Sequence, residues 1–427
     1  MKTILIRIAA VGVVMAACTG PADAQALARR IEGSSAPNVQ FHFSARAGVC
    51  GDGRTYIRTD TDSWYGSVND FTRSQPCESG PVRVVVVRSD REPIRIESFA
   101  GTLRTDSSAT DLGRVPAAEA AAYLMSVAKS AEGRVGREAL MPATLADSAT
   151  ISPALLEIAR DQNRSRDMRR SAVNWLARRR DARDGMQSAE LVRVLAGFAR
   201  NDTEHNTFRQ NAVGVLSRLD RGEGVPTLIE MSEGTSDTWL ARHAAEALGR
   251  SGDPRARRAV RALAENEQTP ADVRVAAISG LMSEYGSIED AEALQRIYPR
   301  VTNDKTRDAI LSGVASLGSV SSRAFLLRIV QDEEHPTRQR RRAASLLDRA
   351  GVPVKDVVRA YDGVSDGEVR NTLIDAMAKA GTKEATTKLI AIAREDTQIS
   401  ARRRAISALG RFDDPAIKTA LRDLVSK

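Results

Sequence analysis

The chain has 427 residues, with 63 Lys plus Arg against 55 Asp plus Glu, a formal charge of +8, and only 4 His and 3 Cys. The balance is basic but modest for this length, and 4% aromatic residues within 42% hydrophobic ones suit closely stacked helices with small side chains. His42, His205, His243 and His335 form no His-Glu-x-x-His zinc pattern, and no nucleophile elbow, phosphate loop or haem-attachment motif occurs. No cofactor or metal is expected.

The first segment is basic at Lys2 and Arg7, then apolar from Ile8 to Ala17, then reads Cys18-Thr19-Gly20-Pro21-Ala22-Asp23-Ala24. This is the pattern of a secretory signal peptide over residues 1–24, cleaved after Ala24, and its apolar run is too short to span a bilayer. A second reading stands beside it. Val14-Met15-Ala16-Ala17-Cys18 resembles a bacterial lipobox, which would make Cys18 a lipid-anchored first residue. Either reading places the mature chain in the periplasm or cell envelope. Cys50 and Cys77 are then the one remaining pair, and a bridge between them needs no choice of connectivity. Closing a loop of that size contributes about 3 kcal/mol on the chain-entropy model.

Residues 25–114 are expected to form a small β-rich domain. Val39–Ala45 and Pro93–Phe99 alternate with period two, and Val82–Arg88 is a β-branched run. Gly51-Asp52-Gly53 and Ser89-Asp90-Arg91-Glu92 are turn signals. Seven of the seventeen aromatic residues fall here: Phe41, Phe43, Tyr56, Trp64, Tyr65, Phe71 and Phe99. Asp60-Thr61-Asp62-Ser63-Trp64 starts like a calcium loop but has Tyr65 where the sixth-position Gly belongs, so a turn is the better reading. Thr105–Gly113 reads as a linker. Residues 115–150 are expected to form a helical cap, with helices over Ala117–Ala131 and Gly136–Asp147. Ser126-Val127-Ala128-Lys129 satisfies Ser-x-x-Lys without its partner motifs and carries no chemistry.

From residue 151 to 427 one pattern recurs: an anchor, a small apolar residue three positions on, and Leu, Val or Met seven on. The anchors are Arg169, Arg209, Ala241, Arg274, Arg307, Arg340, Arg370 and Arg402, at intervals of 40, 32, 33, 33, 33, 30 and 32 residues. A fixed period in this range marks stacked helical repeats. On a helix, offsets zero, three, four and seven share one face, which must be buried. The anchors are therefore read as structural, with Asp167, Asp272, Asp304 and Glu368 upstream as candidate caps or ion-pair partners. Offsets two, five and nine fall on the opposite face. Offset nine holds Arg178, Arg218, Arg250, Arg349, Lys379 and Arg411, interrupted by Ser283 and Ser316. Such a row either complements helix C-termini or forms a positive stripe for an anionic partner. Arg178-Arg179-Arg180, Arg338 with Arg340–Arg342, and Arg402–Arg404 add basic clusters.

Ala244–Ala256 (Ala-Ala-Glu-Ala-Leu-Gly-Arg-Ser-Gly-Asp-Pro-Arg-Ala) and Ala405–Pro415 (Ala-Ile-Ser-Ala-Leu-Gly-Arg-Phe-Asp-Asp-Pro) resemble HEAT repeats of the short bacterial type, found also in phycobilisome lyases. The resemblance covers about residues 150–427 and implies a right-handed α-solenoid of about eight helix pairs. A solenoid offers a surface rather than a pocket. The expected function is non-catalytic protein–protein interaction or scaffolding in the envelope. The alternatives are binding of an anionic polymer, nucleic acid or acidic polysaccharide, through the basic row, and an enzyme site in the β domain around Tyr56, Trp64 and the Cys50 loop.

Overall fold

The computed structural model describes residues 21–59, 64–66, 77–104, 106–178, 188–234, 236–283 and 286–425. Cys18 and most of the N-terminal leader, the Asp60–Ser63 stretch, Phe71, Arg179 and Arg180 lie outside the described residues. The chain divides after Leu191 into two compact units.

The first unit begins with α1 (Pro21–Glu32), followed by β1 (Asn38–Phe43), β2 (Cys50–Gly51), β3 (Tyr56–Arg58), β4 (Trp64–Gly66), β5 (Glu78–Ser79), β6 (Val82–Ser89), β7 (Glu92–Ala100) and β8 (Thr110–Arg114). The main sheet has the order β7-β6-β1-β8. Period-two alternation puts Val39, Phe41 and Phe43 on one face with Val82, Val84 and Val86, and the register Phe41↔Val84 aligns them. α2 (Ala117–Ser130) and α3 (Gly133–Leu145) pack with this sheet. The ring of Phe41 meets that of Tyr123 edge-on, with centroids 6.1 Å apart. The same α3 packs against α5 (Arg166–Arg178), which pairs with α4 (Ser152–Arg160).

The expected hairpin forms, with Asp90 and Arg91 at positive φ (50° and 69°), as a two-residue type I′ connection requires. The expected linker does not. Its second half is β8, which pairs in parallel with β1. Its Asp- and Gly-containing sequence lacks a strand pattern because its order comes from its neighbours. Gln40, 2% exposed, exchanges two hydrogen bonds with the backbone of Asp106 (3.1 and 3.2 Å) and pins the approach to the strand.

A second, smaller sheet has the order β4-β3-β2-β5. Asp52 closes its β2–β3 turn by accepting from the amides of Arg54 (2.9 Å) and Thr55 (2.8 Å). Burial pushes this carboxyl up, but the hydroxyl and amide bonds outweigh it and hold the group down at about 2. Cys50 and Cys77 are bridged, with Cα atoms 5.2 Å apart, which ties β2 to the chain entering β5.

The second unit is an α-solenoid. It runs through α6 (Ser188–Arg200), α7 (Asn206–Leu216), α8 (Val225–Glu233), α9 (Thr238–Gly249), α10 (Pro254–Glu265), α11 (Ala271–Leu281), α12 (Ile288–Ile297), α13 (Asp304–Leu317), α14 (Val320–Gln331), α15 (Thr337–Ser345), α16 (Val354–Asp362), α17 (Gly367–Ala380), α18 (Lys383–Glu395), α19 (Ile399–Leu409) and α20 (Pro415–Val425). Helix starts follow capping chemistry. Asp253 accepts from the Arg255 amide (2.7 Å) ahead of Pro254, and Ser287 with Asp290 forms a capping box. Asp290 is fully buried, bonded to Arg257 and Arg261 of α10 as well as to Ser287. Burial alone would raise this carboxyl, but these bonds hold it below its ordinary range.

The second helices α7, α9, α11, α13, α15, α17 and α19 stack side by side. The closest approach is between α9 and α11, where a Cβ built on Gly280 would lie 2.7 Å from the Gly249 Cα. Only glycine fits there. Gly280→Val should destabilise this unit by about 1–3 kcal/mol or more through overpacking against backbone. Gly197→Ala, at an exposed helical site with nothing within 4 Å, should be neutral or stabilise by up to ~1 kcal/mol. Urea denaturation of the two variants checks this, and equal stabilities would refute the close contact.

Candidate functional site

The anchors fall on α5, α7, α9, α11, α13, α15, α17 and α19, the second helix of each hairpin. Arg169, Arg209, Arg274 and Arg340 are 3–7% exposed. Each sends its Nε to a backbone carbonyl ten residues upstream, near the end of its partner first helix. The acceptors are Ala159 (2.9 Å), Ala199 (3.0 Å), Ala264 (2.7 Å) and Val330 (3.0 Å). The last carbonyls of a helix have no partner within it and carry its negative dipole end, so a cation meets both needs. Burial lowers the Arg274 guanidinium from its ordinary value, yet an arginine stays charged at neutral pH.

The remaining anchors vary the theme. Arg402 donates to the carbonyl of Asp396, just past α18 (2.7 Å). Arg370 pairs with the Asp396 carboxylate and lies over the Tyr361 ring, 4.4 Å from its centroid. The Tyr361 hydroxyl donates to the same carboxylate (2.6 Å), and burial pushes that hydroxyl well above its usual range. Arg307 is half-buried, with its Nε bonded to nothing among the described residues. Arg209 adds a bond to Asp237, the cap of α9, and stacks on Trp239 at 4.4 Å.

Positions three and seven beyond every anchor are buried, and position four is buried except at Ile406 on α19. Position two departs from the expected exposed face: His243 and Ala276 are each 6% exposed. The tight α9–α11 contact closes over that side. His243 there stacks on Trp239 (4.0 Å) and bonds the Trp239 carbonyl through Nδ1 (2.8 Å).

The nine-offset residues Arg178, Arg218, Arg250, Arg349, Lys379 and Arg411 are exposed. Arg178 lies over the Trp175 ring at 5.2 Å, and Lys379 pairs with Asp348 at 2.6 Å. Arg250 caps the C-terminus of α9, and the side chains of Arg250, Arg349 and Arg411 make no hydrogen bond or ion pair among the described residues.

The upstream acids pair with cations, but not with the anchors. Lys305 of α13 meets Asp272 of α11 (3.5 Å). Arg338 of α15 meets Asp304 (3.4 Å) and Asp308 (2.6 Å) of α13, and Arg342 donates to Ser312 (2.8 Å). Arg341 meets Glu368 of α17 (2.6 Å), and Arg404 of α19 meets Asp375 of α17 (2.5 Å). Arg338, Arg341 and Arg404 of the basic clusters thus join a ladder of opposite charges between neighbouring second helices, while Arg340 and Arg402 are spent as anchors. Exposed pairs of this kind stabilise by about 0–1 kcal/mol each. Sequence reading missed the ladder because its partners lie about thirty residues apart; looking one repeat period downstream of Asp272, Asp304, Asp308 and Asp375, and one upstream of Glu368, would have found them.

In the β domain Tyr56 is buried at 5% exposure, while the side chain of Trp64 lies outside the description. Ser126 donates to the Tyr123 carbonyl (2.7 Å) and Lys129 pairs with Glu157, so the two are engaged separately. No group of three or more His, Cys, Asp or Glu able to hold a metal occurs among the described residues.

Residues 192–282 and 225–315 match the family model for HEAT repeats. This stretch is a run of HEAT repeats. The chain also matches several solved structures at low identity. Human deoxyhypusine hydroxylase shares 14% identity over 61% of this chain and 94% of its own, with a TM-score of 0.26. The complex of CpcE and CpcF of phycocyanin lyase from a Nostoc species shares 16% over 60% of this chain and 94% of its own (TM-score 0.28). Importin beta shares 15% over 71% of this chain and 42% of its own (TM-score 0.30). No curated protein matches the sequence.

The division between buried anchors and exposed row has a measurable consequence. Arg274→Met should cost about 1.5–3 kcal/mol, since it strands the Ala264 carbonyl and removes a charged bond. Arg250→Met should change stability by no more than about 0.5 kcal/mol. Thermal unfolding of both variants decides, and a similar loss for the two would remove the distinction.

Proposed function

We propose that the protein is a non-catalytic, exported scaffold that binds protein partners through the exposed face of its second helices. The observation that carries this reading is the charge ladder. It leaves a face of interspersed opposite charges with exposed arginines at Arg250, Arg349 and Arg411. A mixed-sign surface matches the patterned charges of a protein, since complementarity sets register and partner choice. A polyelectrolyte calls instead for a row of one sign. The row that would serve it is broken at Ser283 and Ser316 and neutralised at Lys379.

In crosslinking and co-purification from envelope fractions at about 0.15 M and 0.5 M salt, a protein partner should remain bound at both. Changing Arg250, Arg349 and Arg411 to Gln should weaken its capture at least ~10-fold with only a small change in thermal unfolding. Capture that survives these changes would overturn this surface assignment. Binding of DNA or an acidic polysaccharide that collapses with salt would favour the polymer reading.

The exported location is supported by the Cys50–Cys77 bridge, which persists in oxidising compartments. It is supported also by the leader-like residues 1–24. The intact mass of the purified mature chain should correspond to a start at Gln25. A mass carrying a lipid on Cys18 would replace that assignment with the anchored form, and an uncleaved chain would overturn export by this signal.

A further inference from the structure

On the second-helix face, α15 keeps its helical form only to Ser345, five residues beyond its anchor Arg340, whereas α13 and α17 run ten residues beyond theirs. A depression of about 320 Å³ lies over this stretch, lined by Asp308 of α13, by Arg338, Arg341, Arg342 and Ser345 of α15, and by Thr372 of α17. Its lining is open to solvent. The side chains of Arg338 and Arg341 are 55% and 51% exposed, Arg342 and Ser345 are exposed, and Asp308 and Thr372 are half-buried. Such a depression does not enclose a small molecule, but a side chain projecting from another surface can enter it.

Helical spacing at 338, 341 and 342 puts three guanidinium groups on one side of α15, and neighbours hold each in place. Arg338 meets Asp304 (3.4 Å) and Asp308 (2.6 Å) of α13, and Arg341 meets Glu368 of α17 (2.6 Å). Arg342 reaches only the neutral Ser312 hydroxyl (2.8 Å), and among the described residues no acid answers its charge. It is therefore the cation left for a partner, and the bond to Ser312 positions it in advance. Two hydroxyl groups complete the pattern. Ser345 donates to the Arg342 carbonyl (2.7 Å) and Thr372 to the Glu368 carbonyl (3.0 Å), so their protons are committed and their oxygens are left to accept. One unanswered cation beside two acceptors matches a carboxylate carried close to a backbone N–H. A bare phosphate meets the cation but not the acceptors, and its higher charge is opposed more strongly by Asp304, Asp308 and Glu368.

We infer that this depression receives an acidic side chain of a protein partner, its carboxylate bonded to Arg342 and an adjoining amide N–H donating to Ser345 or Thr372. The inference rests on the scaffold reading and deepens it, since it names the place on the second-helix face and the chemistry that docks there. Charge complementarity at one such point sets the register of a partner along a face of mixed sign.

The test uses the full chain and a short, end-blocked peptide of alternating Glu and Gly, with calorimetry at about 0.05 M salt. The peptide should bind with a dissociation constant of about 1 mM or tighter, and its Gln-for-Glu counterpart at least ~10-fold more weakly. Arg342→Gln removes the unanswered charge, and Ser345→Leu fills the depression without changing charge. Each should weaken binding at least ~5-fold with thermal unfolding unchanged. Arg258→Gln removes one exposed charge from α10, off this face, and should leave the affinity within about 2-fold. The inference is overturned if the acidic peptide does not bind below about 10 mM, if Arg258→Gln weakens it as much as Arg342→Gln, or if inorganic phosphate binds there more tightly than the peptide. It is overturned alone, with the scaffold reading intact, if a protein partner captured from envelope fractions is held equally by the Arg342→Gln and Ser345→Leu chains. Peptide binding is read on the isolated chain, so a failed capture counts against the scaffold reading and not against this site.

Discussion

The structure depends on how the carbonyls at helix C-termini are satisfied. A solenoid multiplies helix ends, and each end placed between packed helices leaves oxygens that water does not reach. Here guanidinium groups answer part of that demand. Arg169, Arg209, Arg274 and Arg340 each reach back ten residues to the end of the first helix of their own hairpin. The β domain applies the same chemistry with different parts. Arg88 of β6, 6% exposed, donates to the carbonyls of Ile31 and Ser34 at the end of α1 (2.6 and 2.9 Å). The forked, permanently charged head of arginine suits this duty better than lysine's compact ammonium.

Using arginine in this way fixes what remains for the surface. The chain is rich in arginine, yet a large part of it is turned inward or consumed between neighbouring helices. What faces solvent is a patterned mixture of signs with a few unengaged cations. The net charge of +8 is therefore a poor guide to the field a partner meets.

Much of this was legible from the sequence. The period located the second helices, and an apolar residue three positions beyond each anchor, Ala at six of the eight and Ile310 and Leu373 at the others, marked the buried side. Cys50 and Cys77 had only each other. Other features were not local. Five of the anchors, Arg169, Arg209, Arg274, Arg340 and Arg402, find backbone oxygens as acceptors, which carry no sequence signal. The partners of Asp304 and Glu368 lie on other helices, so proximity along the chain pointed to the wrong cations. β8 was invisible because Thr110–Arg114 takes its extended form from β1. Position two beyond the anchor was misjudged at His243 and Ala276, because the glycine contact between α9 and α11 draws those helices together.

The ten-residue reach of the anchor arginines also bears on how the molecule assembles. Each such bond closes inside one hairpin, so it forms without bringing distant chain segments together. Loop-closure entropy is small, and such hairpins suit rapid, independent nucleation along the array. The sheet of the first unit differs, because β8 joins β1 across some seventy residues of intervening chain. Topology of that kind folds more slowly. Each helical hairpin is thus able to order as soon as its own residues are available, whereas the sheet must wait for its last strand, β8.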